Sequence, residues 1–143
     1  MKIIRVTKEF ERAGAYYVRI QAMARKYQIS LDAEIDSKDG ENCNYVLVLD
    51  DIYPVATCRW FKIDEKTAEI GRVVVLQEYR GQHLGQRVIA EAEAWMREQG
   101  IQKSTLSSRI GIEKFYTKLG YHFNESGQAH HDTFQCVYME KYL

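Results

Sequence analysis

The residues best suited to hold an anion lie together between Val73 and Gln86, in the stretch VVVLQEYRGQHLGQ. An apolar β-branched run stops at Leu76, a polar turn carries Arg80, Gly81 and Gly85, and an amphipathic segment begins at Leu84. This order reads as strand, glycine-bearing turn and helix start. The first backbone N–H groups of a helix lack partners and carry partial positive charge. Glycines let a phosphate approach them without a Cβ in the way, and an arginine adds a fixed cation suited to phosphate oxygens. The stretch is therefore a candidate cradle for a phosphorylated ligand. An ordinary strand-to-helix turn would share the local pattern, because short glycine motifs recur by chance.

Two familiar phosphate loops are missing. No Gly-Lys-Ser/Thr follows the turn, which argues against a nucleotide triphosphatase, and no G-x-G-x-x-G argues against a dinucleotide site. The pattern that fits is R-G-x-x-x-G after a hydrophobic strand. It resembles the pyrophosphate loop of the GNAT acyl-CoA N-acetyltransferases, Gln/Arg-x-x-Gly-x-Gly/Ala. Arg80 and Gly85 match the ends, and His83 stands where the first of the two glycines is usual. Glu69-Ile-Gly-Arg-Val-Val-Val75 resembles that family's fourth strand, and Phe115-Tyr-Thr-Lys-Leu-Gly-Tyr121 its F-Y-x-K-L-G-[FY] element. Upstream, Arg19 and Glu34-Ile-Asp36-Ser-Lys-Asp39 resemble a small bacterial subgroup with an Arg on the first helix and an E-x-D-x-x-D loop. That subgroup commonly carries a His three residues before a Met near the C-terminus; here Cys136 precedes Met139 at that spacing.

The resemblance implies a cosubstrate, acetyl-CoA, and a set of contacts. The backbone of Val73, Val74 and Val75 would meet the pantetheine arm, as an extended peptide adds to an open strand edge. Gly71 would mark a bulge that opens that edge. The loop of Arg80, Gly81, Gln82, His83, Leu84, Gly85 and Gln86 would hold the pyrophosphate, with Phe115 against the cofactor arm or the core. Where the family often has an asparagine at the end of its fifth strand, this chain has Ser107 and Ser108. Acetyl transfer to an amine needs a base, since a lysine-like ammonium has a pKa of roughly 10.4, and an acid aids the departing thiolate. The resemblance points to Glu69 as base and Tyr116 as acid. A solvated strand-end carboxylate and a packing aromatic are the plain alternatives.

Other clusters carry less. His130-His131-Asp132 lacks a third spaced ligand or a Cys pair, so no metal is expected. Cys58 and Cys136 have no nucleophile motif around them. Glu34, Asp36 and Asp39 read either as an acceptor-site lining that attracts an amine or as an acidic surface loop with Arg19 in a helix-surface ion pair.

Positioning these residues requires a single compact domain, for which 143 residues suffice. Lys plus Arg number 20, as do Asp plus Glu, so no global field favours nucleic acid or an acidic membrane. Three cysteines without a C-x-x-C pair suit reduced thiols in the cytoplasm. The N-terminus MKIIRVTKEF, with charges breaking every apolar group, argues against a signal peptide or membrane span.

Strands are predicted over Lys2 to Val6, Tyr45 to Leu49, Val55 to Ile63, Thr67 to Leu76, Lys103 to Ser108, Tyr121 to Asn124 and Thr133 to Tyr142. Asp50 to Pro54 reads as a turn, and Asp64 to Lys66 as a hairpin. Thr7 should cap a helix whose inner face holds Phe10, Ala13, Tyr17, Ile20, Ala24 and Tyr27. A second helix carries Leu84, Val88, Ile89, Ala92, Trp95 and Met96 and ends at Gly100; a short one covers Ile112 to Leu119. The class is α+β, or α/β on a looser definition, with a mixed sheet flanked by helices. The expectation is an N-acetyltransferase acting on a small-molecule or peptide amine by direct transfer, with a homodimer compatible. The competing reading is a non-catalytic acyl-CoA-binding or sensor module, which would keep its ligand response without Tyr116 and Glu69.

Overall fold

The computed structural model describes residues 1–124 and 134–143. Its strands are β1 (Lys2–Arg5), β2 (Asn44–Asp50), β3 (Tyr53–Lys62), β4 (Thr67–Val75), β5 (Lys103–Arg109), β6 (His122–Phe123) and β7 (Cys136–Tyr142). Its helices are α1 (Glu9–Arg19), which continues through a π-helical turn at Ile20–Ala24 to Arg25–Tyr27, then α2 (Leu31–Glu34), α3 (Leu84–Glu98) and α4 (Glu113–Lys118). The strands form one seven-stranded sheet in the order β1-β2-β3-β4-β5-β7-β6. Neighbours are antiparallel except β4 and β5, which run parallel. The elements agree with the sequence reading to within a residue or two, apart from α2, the π turn and Thr133, which lies outside the described residues.

The continuous apolar run of β2 reflects burial on both faces, as alternation requires. Val46 and Val48 pack with Leu84, Val88, Ile89, Ala92 and Met96 of α3. Tyr45 and Leu47 point the other way, onto Ala15, Val18 and Ala22 of the first helix. Each fully buried aliphatic side chain contributes about 1.5–3 kcal/mol. Pro54 lies within β3 rather than in the turn; it stands opposite Leu49 where the β2–β3 register shifts. There a missing N–H disturbs the ladder least.

The first helix is turned differently from the expected face. Phe10 is 72% exposed and Tyr17 46%, while Ala15, Val18 and Arg19 are fully buried. Small residues win this face because the helix lies close to the sheet: a Cβ on Gly14 would sit 3.1 Å from Leu47 Cδ2. The N-cap is Lys8, one residue after the expected Thr7. Glu11 accepts from the backbone N–H of Thr7 and of Lys8, both at 3.0 Å. Those bonds hold the Glu11 carboxyl below the usual range.

A buried polar anchor fixes the C-terminal half. The Tyr121 hydroxyl donates to Glu93 Oε2 (2.9 Å) and lies 2.7 Å from Ser104 Oγ. Lys141 Nζ donates to Glu93 Oε1 (2.9 Å) and to the Leu119 carbonyl (2.8 Å). Together they tie α3, β5, β7 and the end of α4, and so fix where Tyr116 stands.

Candidate active site

β4 and β5 pair only where Thr67–Glu69 faces Lys103–Thr105. Beyond Glu69 the two strands part, leaving the β4 edge toward β5 outside that ladder. On its other edge β4 shifts register against β3: Arg59 faces Gly71, yet Thr57 faces Val74. The bulge expected at Gly71 is present, but the left-handed residue is Arg72, with φ 52°. A left-handed non-glycine costs roughly 1–2 kcal/mol. Arg72 is held there by its side chain, whose Nη2 lies 3.1 Å from Asp36 Oδ2 and whose Nε lies 3.7 Å from Glu34 Oε2.

The parting strands open a cleft of about 810 Å³. Glu69, Val73, Val74, Val75, Arg80, Gly81, His83, Leu84, Gly85, Gln86, Phe115 and Tyr116 all line it. Gln82 does not; it is exposed. The Leu84 side chain is 2% exposed and belongs to the core, so only its backbone can serve a ligand.

At one end of the cleft the chain passes a 3-10 turn, Gln77–Tyr79, steadied by the Tyr79 hydroxyl on Asp50 Oδ2 at 2.7 Å. Gly81 has φ 83° and His83 φ 61°. The usual glycine at position 83 thus has a conformational cause, and the imidazole occupies a left-handed site by exception. No side chain caps α3, and the first N–H to bond back is Arg87 N, to His83 O at 3.1 Å. The N-terminus of α3 faces the cleft through Leu84, Gly85 and Gln86. A Cβ on Gly85 would stand 3.3 Å from Phe115 Cζ and 3.9 Å from Val75 Cγ2, so this glycine also lets α3 pack under Phe115.

Titratable groups also line the cleft. Glu69 is half-buried on β4 beside Thr105. Tyr116, half-buried on α4, packs edge-on against Phe115 (5.0 Å) and Tyr121 (6.1 Å). Burial pushes its phenol up to about 12. Of the two serines near the end of β5, Ser108 Oγ donates to the Arg109 carbonyl (3.0 Å), whereas Ser107 Oγ is buried without a hydrogen-bond partner among the described residues. Cys136 is half-buried on the cleft wall. Burial raises the Cys43 and Cys58 thiols, which fits packing rather than nucleophilic groups.

The Glu34–Asp39 segment combines parts of both sequence readings: Glu34 and Asp36 line the cleft, and Arg19 pairs with the segment, but inside the protein rather than on the helix surface. Arg19 is buried, not a surface residue. Its guanidinium donates to both carboxylate oxygens of Asp39, at 2.7 and 2.9 Å, and to the Glu34 carbonyl. Arg59 grips Asp36 at 2.7 and 3.0 Å and reaches Asp39 Oδ2 at 2.9 Å. The Tyr45 hydroxyl adds 2.7 Å to Asp39 Oδ1. Three arginines (Arg19, Arg59, Arg72) thus neutralise three carboxylates (Glu34, Asp36, Asp39). The loop therefore carries no spare negative charge for an amine. The arginines hold the Asp39 carboxyl well below the usual range, while burial raises Glu34. Arg59 was legible only as a charge inside an apolar strand, which signals a buried partner. Arg72, set between Ile70-Gly71 and Val73, carried the same signal. His130, His131 and Asp132 lie outside the described residues.

A protein-family model described as the acetyltransferase (GNAT) family matches residues 7–121. The uncharacterised Bacillus subtilis (strain 168) protein YyaT is 31% identical over 137 residues, spanning 91% of this chain and 92% of the relative. A crystal structure described as a candidate N-acetyltransferase from Lactobacillus plantarum superposes with TM-score 0.89 at 29% identity, covering 99% of this chain and 97% of that one. The PaiA N-acetyltransferase of Thermoplasma acidophilum, solved with coenzyme A, shares the fold at TM-score 0.73 and 17% identity, with 100% of both chains covered. With the family model matching most of its length, the chain belongs to the GNAT acetyltransferase family and has its fold.

Proposed function

We propose that this protein is an acetyl-CoA-dependent N-acetyltransferase that moves an acetyl group directly onto an amine. The observation that carries the reading is the cleft itself. One opening between β4 and β5 joins an uncapped helix N-terminus, a strand edge without a ladder partner among the described residues, a carboxylate and a phenol. The solved relative bound to coenzyme A shares this fold.

The residues present suit the cosubstrate. Arg80 and the N–H groups at the start of α3 would hold the pyrophosphate, as partial positive charge there favours anions. The backbone of Val73 and Val75, on that strand edge, would accept and donate to the pantetheine amides. Ser107 Oγ is a further donor in the same wall. Acetyl-CoA supplies an activated acyl carbon. Glu69 takes the proton that an acceptor ammonium must lose, directly or through water. Tyr116 stays protonated at neutral pH and can donate toward the departing sulfur. Holding both reactants in one cleft contributes most, because orientation replaces a bimolecular encounter.

Acetyl-CoA should raise the melting temperature of the parent, since a ligand of the native state alone stabilises it. Gly85→Glu places bulk against Phe115 and negative charge at the helix start, and should abolish that rise. A variant that binds acetyl-CoA as tightly as the parent would refute the loop assignment.

A further inference from the structure

The same cleft is also lined by Met23, Tyr27, Phe61, Phe134 and Arg109. Its charges are uneven. Cleft-lining cations are Lys38, Arg59, Arg72, Arg80 and Arg109, against the carboxylates Glu34, Asp36 and Glu69. Arg59 and Arg72 are consumed within the neutral network, together with Glu34 and Asp36. Arg80 stands at the phosphate end. Among the described residues, the other charged side chains that line the cleft are Glu69, Arg109 and Lys38.

Arg109 is built into this wall. It ends β5, two residues beyond Ser107, on the same face of the strand. Its guanidinium carbon lies 4.5 Å from the Phe134 ring centroid and 5.5 Å from that of Tyr27, whose two rings meet edge-on at 5.2 Å. The guanidinium beside it holds the Tyr27 phenol below its usual range. No carboxylate among the described residues pairs with Arg109. One hydrogen bond goes to the Tyr27 hydroxyl; an aromatic face holds a guanidinium through its plane, which leaves the remaining N–H groups for a ligand. Lys38 Nζ is likewise seated over Phe61, at 5.2 Å.

We infer that the acceptor is a small amine that also carries an anionic group, a carboxylate or a phosphate, bound by Arg109 with Lys38 assisting while its amine lies toward Glu69. This rests on the transferase reading and names its substrate class. A polycation would meet two like charges, Arg109 and Lys38, along the same cleft.

The test measures CoA release from acetyl-CoA with matched acceptors. L-lysine, glycylglycine and phosphoethanolamine are each set against lysine amide, glycylglycinamide and ethanolamine, with spermidine as the polycation. The first two pairs report a carboxylate and the third a phosphate. The parent should prefer at least one anionic acceptor over its neutralised partner by roughly ten- to a hundred-fold in kcat/KM, the range of a charge-assisted hydrogen bond. Most of the difference should lie in KM. Arg109→Gln should erase that preference without affecting stabilisation by acetyl-CoA, and Arg109→Lys should retain part of it. Binding of the acceptor to the CoA complex, read by calorimetry, should follow the same order. A preference for spermidine or for the neutralised amines overturns the inference and leaves the transferase reading standing. So does a preference that survives in Arg109→Gln. Transfer to none of these amines, with acetyl-CoA still bound, overturns both.

Discussion

Replacing Tyr116 by Phe removes one oxygen from the cleft and leaves the ring. Among the described residues none hydrogen-bonds that hydroxyl, so its loss strands no partner. Packing against Phe115 and Tyr121 persists, and the melting temperature should stay within about 2 °C of the parent, the size of a change below 1 kcal/mol. The catalytic effect is bounded by the phenol's acidity. Its pKa of about 12 exceeds a free thiol's by about 3.5, so complete proton transfer to a thiolate is uphill by roughly 5 kcal/mol. Tyr116 therefore acts through a hydrogen bond to sulfur as charge develops. The loss should fall at the lower end of general-acid effects, about ten- to a hundred-fold in kcat. The assay follows thiol release at saturating acetyl-CoA, with single-turnover mixing to establish that chemistry limits the rate. A phenol with a raised pKa stays protonated until the solution exceeds it. The alkaline limb of kcat/KM below about pH 11 therefore belongs to another group and should be unchanged in the variant. Undiminished turnover with chemistry limiting would remove Tyr116 from the mechanism. A loss matched by weaker acetyl-CoA binding would recast it as a packing residue.

Two further outcomes follow from backbone and buried charge. His83→Gly relieves a φ of 61°, so acetyl-CoA affinity should hold or improve and stability rise by about 1 kcal/mol, read by urea unfolding; a large loss of affinity would show that the imidazole contacts the ligand. Asp39→Asn leaves Arg19 and Arg59 short of a charge partner in the interior, where breaking a buried pair costs about 3–5 kcal/mol. That is on the order of a 10 °C fall in melting temperature for a chain of this size. The Asp39 carboxyl is depressed in the folded state, so its stabilisation is complete above the unfolded pKa near 3.9 and is lost as pH falls below it. The variant should accordingly lose less stability than the parent between neutral pH and pH 3, and equal acid sensitivity would contradict the linkage.

What the sequence alone determined was local. The β-branched run ending at Leu76, the glycines at 81 and 85 and the apolar stripe of α3 act within a few residues of one another, so strand, turn and helix start were legible, as was the family motif around Tyr116. The class of fold follows from the same order of elements. Tertiary structure decided what depends on distant partners. The apolar spacing of Phe10 and Tyr17 pointed to the wrong face of α1, because burying Arg19 becomes favourable only when Asp39 and Glu34 arrive from another segment. The bulge was readable at Gly71, but Arg72 adopts the left-handed conformation because Glu34 and Asp36 hold its side chain from across the cleft. Arg109, Tyr27 and Phe134 come from three separate parts of the chain and meet only once the sheet is assembled. Local propensity reaches over a turn or two; charge compensation and the parting of β4 from β5 are properties of the whole packed sheet.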